Sequence, residues 1–190
     1  MSVLGQCLTR IEAGLGGLGR LGLLAALAPG LTERTVRDQL AAVGLVATNE
    51  LVELYGWHNG TRFAPETMLD DVHMFPGFYL LALEDSLANL LAFRPDSRWD
   101  SSWLPVFANG GGDFYISDLG QSAGPIRHFR IEETEHPVEF SSVGSMMATI
   151  EAAMERNVIF VEEGGYLEMD DHAFGDVAAE MSPDVEWWSR

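Results

Sequence analysis

Near the middle of the chain, Trp103 to Leu119 reads WLPVFANGGGDFYISDL, two short apolar runs on either side of a triple glycine. In the second run the alternation predicts Phe114 and Ile116, with Leu119, on one face and Tyr115 and Ser117 on the other, the pattern of a strand with one buried face. In the first run Trp103, Leu104, Val106 and Phe107 surround Pro105, which cannot donate to a ladder. This run therefore belongs at a sheet edge or a strand start. Asn109-Gly110-Gly111-Gly112 supplies residues that tolerate positive φ, as a tight reversal requires. A β-hairpin follows.

The flanking sequence adds helices and further short strands. Leu4, Leu8, Ile11, Leu15 and Leu18 recur at helical spacing and predict one apolar face. The glycines among and after them, Gly14, Gly16, Gly17, Gly19 and Gly22, each cost about 1 kcal/mol against alanine. Such a helix needs a partner surface, on its own domain or on another chain. Residues 1–30 accordingly read as a glycine- and leucine-rich helical appendage, and 31–190 as the main domain. Thr32 reads as the cap of a helix carrying Val36, Leu40 and Val43. Asn49 reads as the cap of a second helix with Leu51, Leu54 and Tyr55, closed by His58-Asn59-Gly60 in left-handed geometry. Pro65 and Pro76 interrupt 61–80, leaving an irregular segment with a short strand near Phe78 to Leu81. Asp85 or Ser86 starts a helix bearing Leu87, Leu90 and Leu91, stopped by Pro95.

Beyond the hairpin, Ile126 to Ile131 alternates as a strand and Val138 to Phe140 reads as another. Ser141 or Ser142 caps a helix that turns Val143, Met146, Met147, Ile150 and Met154 inward. Val158 to Val161 and Tyr166 to Met169 form two strands joined by Glu162-Glu163-Gly164-Gly165. Asp170 or Asp171 caps a closing helix with Phe174, Val177 and Met181, ended by Pro183 ahead of Trp187-Trp188.

Charge bounds the function. The chain has 29 acidic and 11 basic residues, a formal net charge of −18. All the basic residues are arginine, which excludes lysine Schiff bases and the phosphate-binding P-loop. From Ile131 onward there are 15 acidic and 2 basic residues, a net of −13. A surface of this sign repels nucleic-acid backbones and draws in basic partners. The acidic residues expected to meet such a partner are Glu132, Glu133, Glu135, Glu162, Glu163, Asp170 and Asp171. The apolar run Leu21 to Ala28 is broken by Gly22 and ended by Pro29, so neither a signal peptide nor a membrane span is expected. The lone Cys7 suits a reducing compartment, and the chain reads as cytoplasmic.

Enzyme motifs are present only in form. Gly14 to Gly19 matches G-x-G-x-x-G, but helical sequence precedes it where a strand is needed. GQSAG at Gly120 to Gly124 matches a nucleophile elbow with Ser122 in place, yet it lies between two strands. A serine hydrolase is accordingly a distant alternative. Asp70, Asp71 and His73, and likewise Asp170, Asp171 and His172, are compact but lack a ligand spacing with a mechanical rationale. Gly110 to Asp113 is turn chemistry with no basic residue to hold a phosphate. No catalytic residue, metal or cofactor is assigned.

Three motifs in order carry a family resemblance: LVELYGWHNG at Leu51 to Gly60, with Trp57, Asn59 and Gly60; Trp103-Leu104-Pro105; and Gly112-Asp113 followed by Asp118. A strand pair and helix then match Ile126 to Arg156. Over about residues 32–156 the chain resembles the SUKH superfamily, which includes the Smi/Knr-type fungal regulators of cell-wall synthesis and many bacterial immunity proteins. Gly165 to Trp188 resembles a C-terminal extension that some relatives carry. The resemblance implies an α+β fold, a mostly antiparallel sheet of about five or six strands packed with helices, serving as a binding module without catalytic apparatus. It implies an immunity protein that neutralises a toxin, with a regulatory scaffold as the alternative; the acidic last third suits a basic, nuclease-type toxin. The motif residues are expected to be structural.

Overall fold

A computed structural model describes residues 2–189. Five strands form one fully antiparallel sheet in the order β3 (Tyr79–Leu80), β4 (Trp103–Ala108), β5 (Phe114–Asp118), β6 (Ile126–Phe129) and β7 (Val138–Phe140). Two ribbons flank it, β1 (Leu27–Pro29) with β2 (His58–Thr61), and β8 (Ile159–Val161) with β9 (Leu167–Met169). The helices are α1 (Val3–Gly17), α2 (Leu21–Ala26), α3 (Glu33–Ala42), α4 (Asn49–Trp57), α5 (Leu83–Phe93), α6 (Val143–Glu155) and α7 (Asp171–Met181), with short 3-10 turns at Asp70–Val72 and Glu186–Ser189. The fold is α+β. No helix is long and apolar enough to cross a membrane.

The central hairpin forms, with two corrections. Both faces of β5 are buried: Tyr115 joins the main core under the helices, while Phe114 and Ile116 join a second cluster with Trp99 and Phe129. Leu119 packs with the Tyr115 side, as its odd position in a period of two requires. Pro105 sits in an interior strand. It is tolerated because β3 pairs only with Phe107 and Ala108, so β4 is locally an edge at Pro105, and because the register towards β5 shifts between Pro105 and Phe107.

The expected appendage is instead part of the core. Leu4, Cys7, Leu8, Ile11 and Leu15 of α1 are buried in one cluster with Leu51 and Leu54 of α4 and Met146, Met147 and Ile150 of α6. The glycines that weaken the helix also permit this contact: a Cβ at Gly14 would lie 3.3 Å from Met154 Sδ. Ser2 caps α1 by accepting from Gly5 N–H at 2.9 Å, and Arg10 pairs with Glu151 on α6. The partner surface that α1 requires is thus supplied by its own chain.

Helix starts were partly misread. Thr48, not Asn49, caps α4, accepting from Leu51 N–H at 3.2 Å. His58 to Gly60 is strand β2 rather than a helix cap, and of the three only Gly60 has positive φ, at 78°. Its need for glycine is steric, since a Cβ there would fall 2.2 Å from the Ala82 backbone nitrogen. Helix α5 begins at Leu83, ahead of Asp85 and Ser86, because Asn59 Oδ1 accepts from Leu83 N–H at 2.9 Å and caps the helix from across the fold. Thr32, Ser142 and Asp170 cap α3, α6 and α7 through their side chains.

Candidate functional site

Strand β7 closes one side of the sheet, and beside it opens a groove of about 780 Å³. Its walls come from the β5–β6 turn, the loop between β6 and β7, and the segment after α7. Glu133 and Glu135 stand on the loop, Asp184 and Glu186 on the closing segment, and Arg130, His136 and Trp187 between them.

The loop is braced along its length. Arg98, held by Asp96 at 2.7 Å, donates to the carbonyls of Ile131 (2.7 Å) and Glu133 (2.9 Å). Arg127, held by Asp118 at 3.0 Å, donates to the His136 carbonyl at 3.1 Å. Asp113 Oδ1 accepts from Ile131 N–H at 2.8 Å. Donation from Arg98 holds the Asp96 carboxyl down at about 2. Burial pushes Asp118 up, and donation from Gln121, Arg127 and Gly120 outweighs it, leaving that carboxyl below its ordinary value. Both stay charged at neutral pH, so the acidic loop is preorganised rather than ordered on binding.

Behind the groove lies a buried polar cluster. Ile126 pairs with Phe140 and Arg127 with Val138, so Glu139 is the extra residue of a bulge in β7. Strict alternation would set Glu139 opposite its neighbours. The bulge lets its carboxylate meet Tyr115 Oη at 3.1 Å, His128 Nδ1 at 3.2 Å and Arg130 Nη2 at 3.2 Å, with Glu139 only 2% exposed. Burial, with the Glu139 charge beside it, pushes the Tyr115 hydroxyl well above its ordinary value. Arg130 links cluster to groove, lying 5.6 Å from the centre of the Trp187 ring. Trp188 donates its indole N–H to the Glu139 carbonyl at 2.5 Å, covering the β7 edge.

Of the acidic residues picked from sequence, the groove gathers Glu133 and Glu135, and Glu132 is exposed on the same loop. The others are elsewhere. Glu162 and Glu163 sit in the β8–β9 turn, Asp170 is occupied as the α7 cap, and Asp171 opens that helix. The expected single patch is therefore divided. Asp184, Glu186, Arg130, His136 and Trp187 were missed, because they reach the groove from parts of the chain that no local pattern joins.

The motif residues stand outside the groove. Trp57 donates to Glu12 on α1 at 3.1 Å, and Trp103 lies under the Arg127 guanidinium, 5.4 Å from its ring centre. Gly112 has φ 106° and backs on Ile131. Asp113 and Asp118 shape the site indirectly, by holding the two ends of its loop. Ser122 is exposed in the β5–β6 turn, and among the described residues no histidine hydrogen-bonds to it. Asp70 accepts from Arg20 at 3.3 Å and faces His73 at 3.4 Å, while exposed His172 faces Asp176 at 3.6 Å. Among the described residues no group of three or more His, Cys, Asp or Glu could hold a metal ion. No protein-family model matches the chain, and no curated protein matches it significantly.

Proposed function

We propose that this chain is a non-catalytic protein-binding module of the immunity type, which captures and neutralises a basic, nuclease-type toxin in the cytoplasm. The observation that carries the reading is the convergence of Glu133, Glu135, Asp184 and Glu186 on one open groove whose loop is already braced by Arg98 and Arg127. A fixed acidic surface on a chain of net charge −18 accelerates encounter with a cationic partner and loses little entropy on docking. The resemblance to immunity proteins supplies the biological setting.

The test is co-expression with a basic toxin encoded beside the gene, together with calorimetry on the purified pair. Protection and a complex that Glu133→Arg with Glu135→Arg weakens at least tenfold are expected. A toxin that neither binds nor is neutralised would overturn the proposal, and binding without neutralisation would favour a regulatory scaffold.

A further inference from the structure

We infer that the groove reads a basic peptide segment at two points, an arginine or lysine side chain among Glu133, Glu135 and Asp184, and a main-chain carbonyl that accepts from His136 Nε2. This rests on the binding reading above and specifies its chemistry.

His136 lines the groove, is only 9% exposed, and its Nε2 has no hydrogen-bond partner. Its tautomer follows from the other nitrogen: Nδ1 accepts from Arg130 N–H at 3.4 Å, so in the neutral ring the proton resides on Nε2. Burial and the neighbouring Arg98 both push the imidazole down, which keeps it neutral at pH 7. The ring cannot turn to satisfy itself. Phe129 stacks against it at 4.3 Å, Trp103 meets it edge-on at 6.0 Å, and Arg127 pins its carbonyl. A buried donor left without an acceptor is a standing cost that a ligand oxygen removes.

The surroundings select which oxygen. A carboxylate or phosphate oxygen would enter against Glu133, Glu135 and Asp184, whereas a neutral carbonyl would not. A metal ion is unsuited to Nε2 because the proton occupies the lone-pair position. What remains is a neutral acceptor attached to a cation, which an arginine or lysine residue within a peptide provides in one unit.

The probes are N-acetyl-arginine N-methylamide, which carries guanidinium and peptide carbonyls; agmatine, which carries the guanidinium alone; and acetate. They are titrated into the 15N-labelled full chain by NMR. The capped arginine should shift the Glu133–Glu135 amides and the His136 Nε2–H signal, and agmatine the loop amides only. His136→Leu should weaken the capped arginine about tenfold, the loss of one hydrogen bond, and leave agmatine unchanged. His136→Gln, which keeps a donor, should restore most of the binding. Capped arginine and agmatine binding alike, with His136 unmoved, would overturn the two-point inference and leave the acidic groove standing. Acetate binding at His136 would overturn it in favour of an anion. If neither cation touches the loop, the groove reading of function fails as well.

Discussion

At Gly60 and His73 the fold sets a requirement on one side chain. At Gly60 the backbone of Leu81 and Ala82 comes so close, and φ is so far into the left-handed region, that any Cβ must displace main chain. Gly60→Ala should cost about 2–3 kcal/mol, combining left-handed strain with overpacking, read as a lower urea midpoint at unchanged slope. His73 is buried beside Asp70, and burial lowers its pKa despite the carboxylate. The folded chain therefore binds this proton less readily than the unfolded chain does. The stabilisation is complete above the unfolded value of about 6.5 and is lost as pH falls toward the folded value, at up to about 1.4 kcal/mol per pH unit. Urea unfolding at pH 7.5, 6.5 and 5.5 should show this decline, and His73→Leu should make it shallower. His136 shifts in the same direction and would leave a residual slope.

Among the elements, α1 and the β6–β7 loop show how weak local signals become firm structure. Helix α1 is rich in glycine and acquires its stability by burying one face against α4 and α6. Ile11, fully buried, tests this: Ile11→Ala should cost about 2–5 kcal/mol, measured by thermal or urea unfolding. A change below 0.5 kcal/mol would mean that α1 is an accessory after all. The loop is held at Ile131, Glu133 and His136 by arginines that are themselves held by Asp96 and Asp118. Asp118→Asn weakens the brace on Arg127 without altering the groove surface. Faster amide exchange across residues 130–137, with other protected amides unchanged, is the expected result.

On the scale of the whole molecule the charge is the governing property. With a net charge of −18, the affinity for a basic partner should fall steeply between about 50 and 300 mM salt, as the Debye length shrinks from roughly 14 to 6 Å. Calorimetry across that range checks it, and an affinity indifferent to salt would contradict charge steering. Sequence alone determined the elements whose information is local: the central hairpin, the apolar faces of α1 and α6, the side-chain caps of α3, α6 and α7, and the excess of carboxylates in the last third. It also marked the motif residues from Trp57 to Asp118. What it could not carry were relations between distant segments. Asn59 caps α5 from 24 residues away, Glu139 turns to the core because a bulge breaks the alternation, and Glu133 meets Asp184 only because the closing segment returns to the β7 edge. Periodicity and capping are set by neighbours along the chain, so residue order encodes them directly. A groove is set by which surfaces the buried core brings together, and only the tertiary structure decides that.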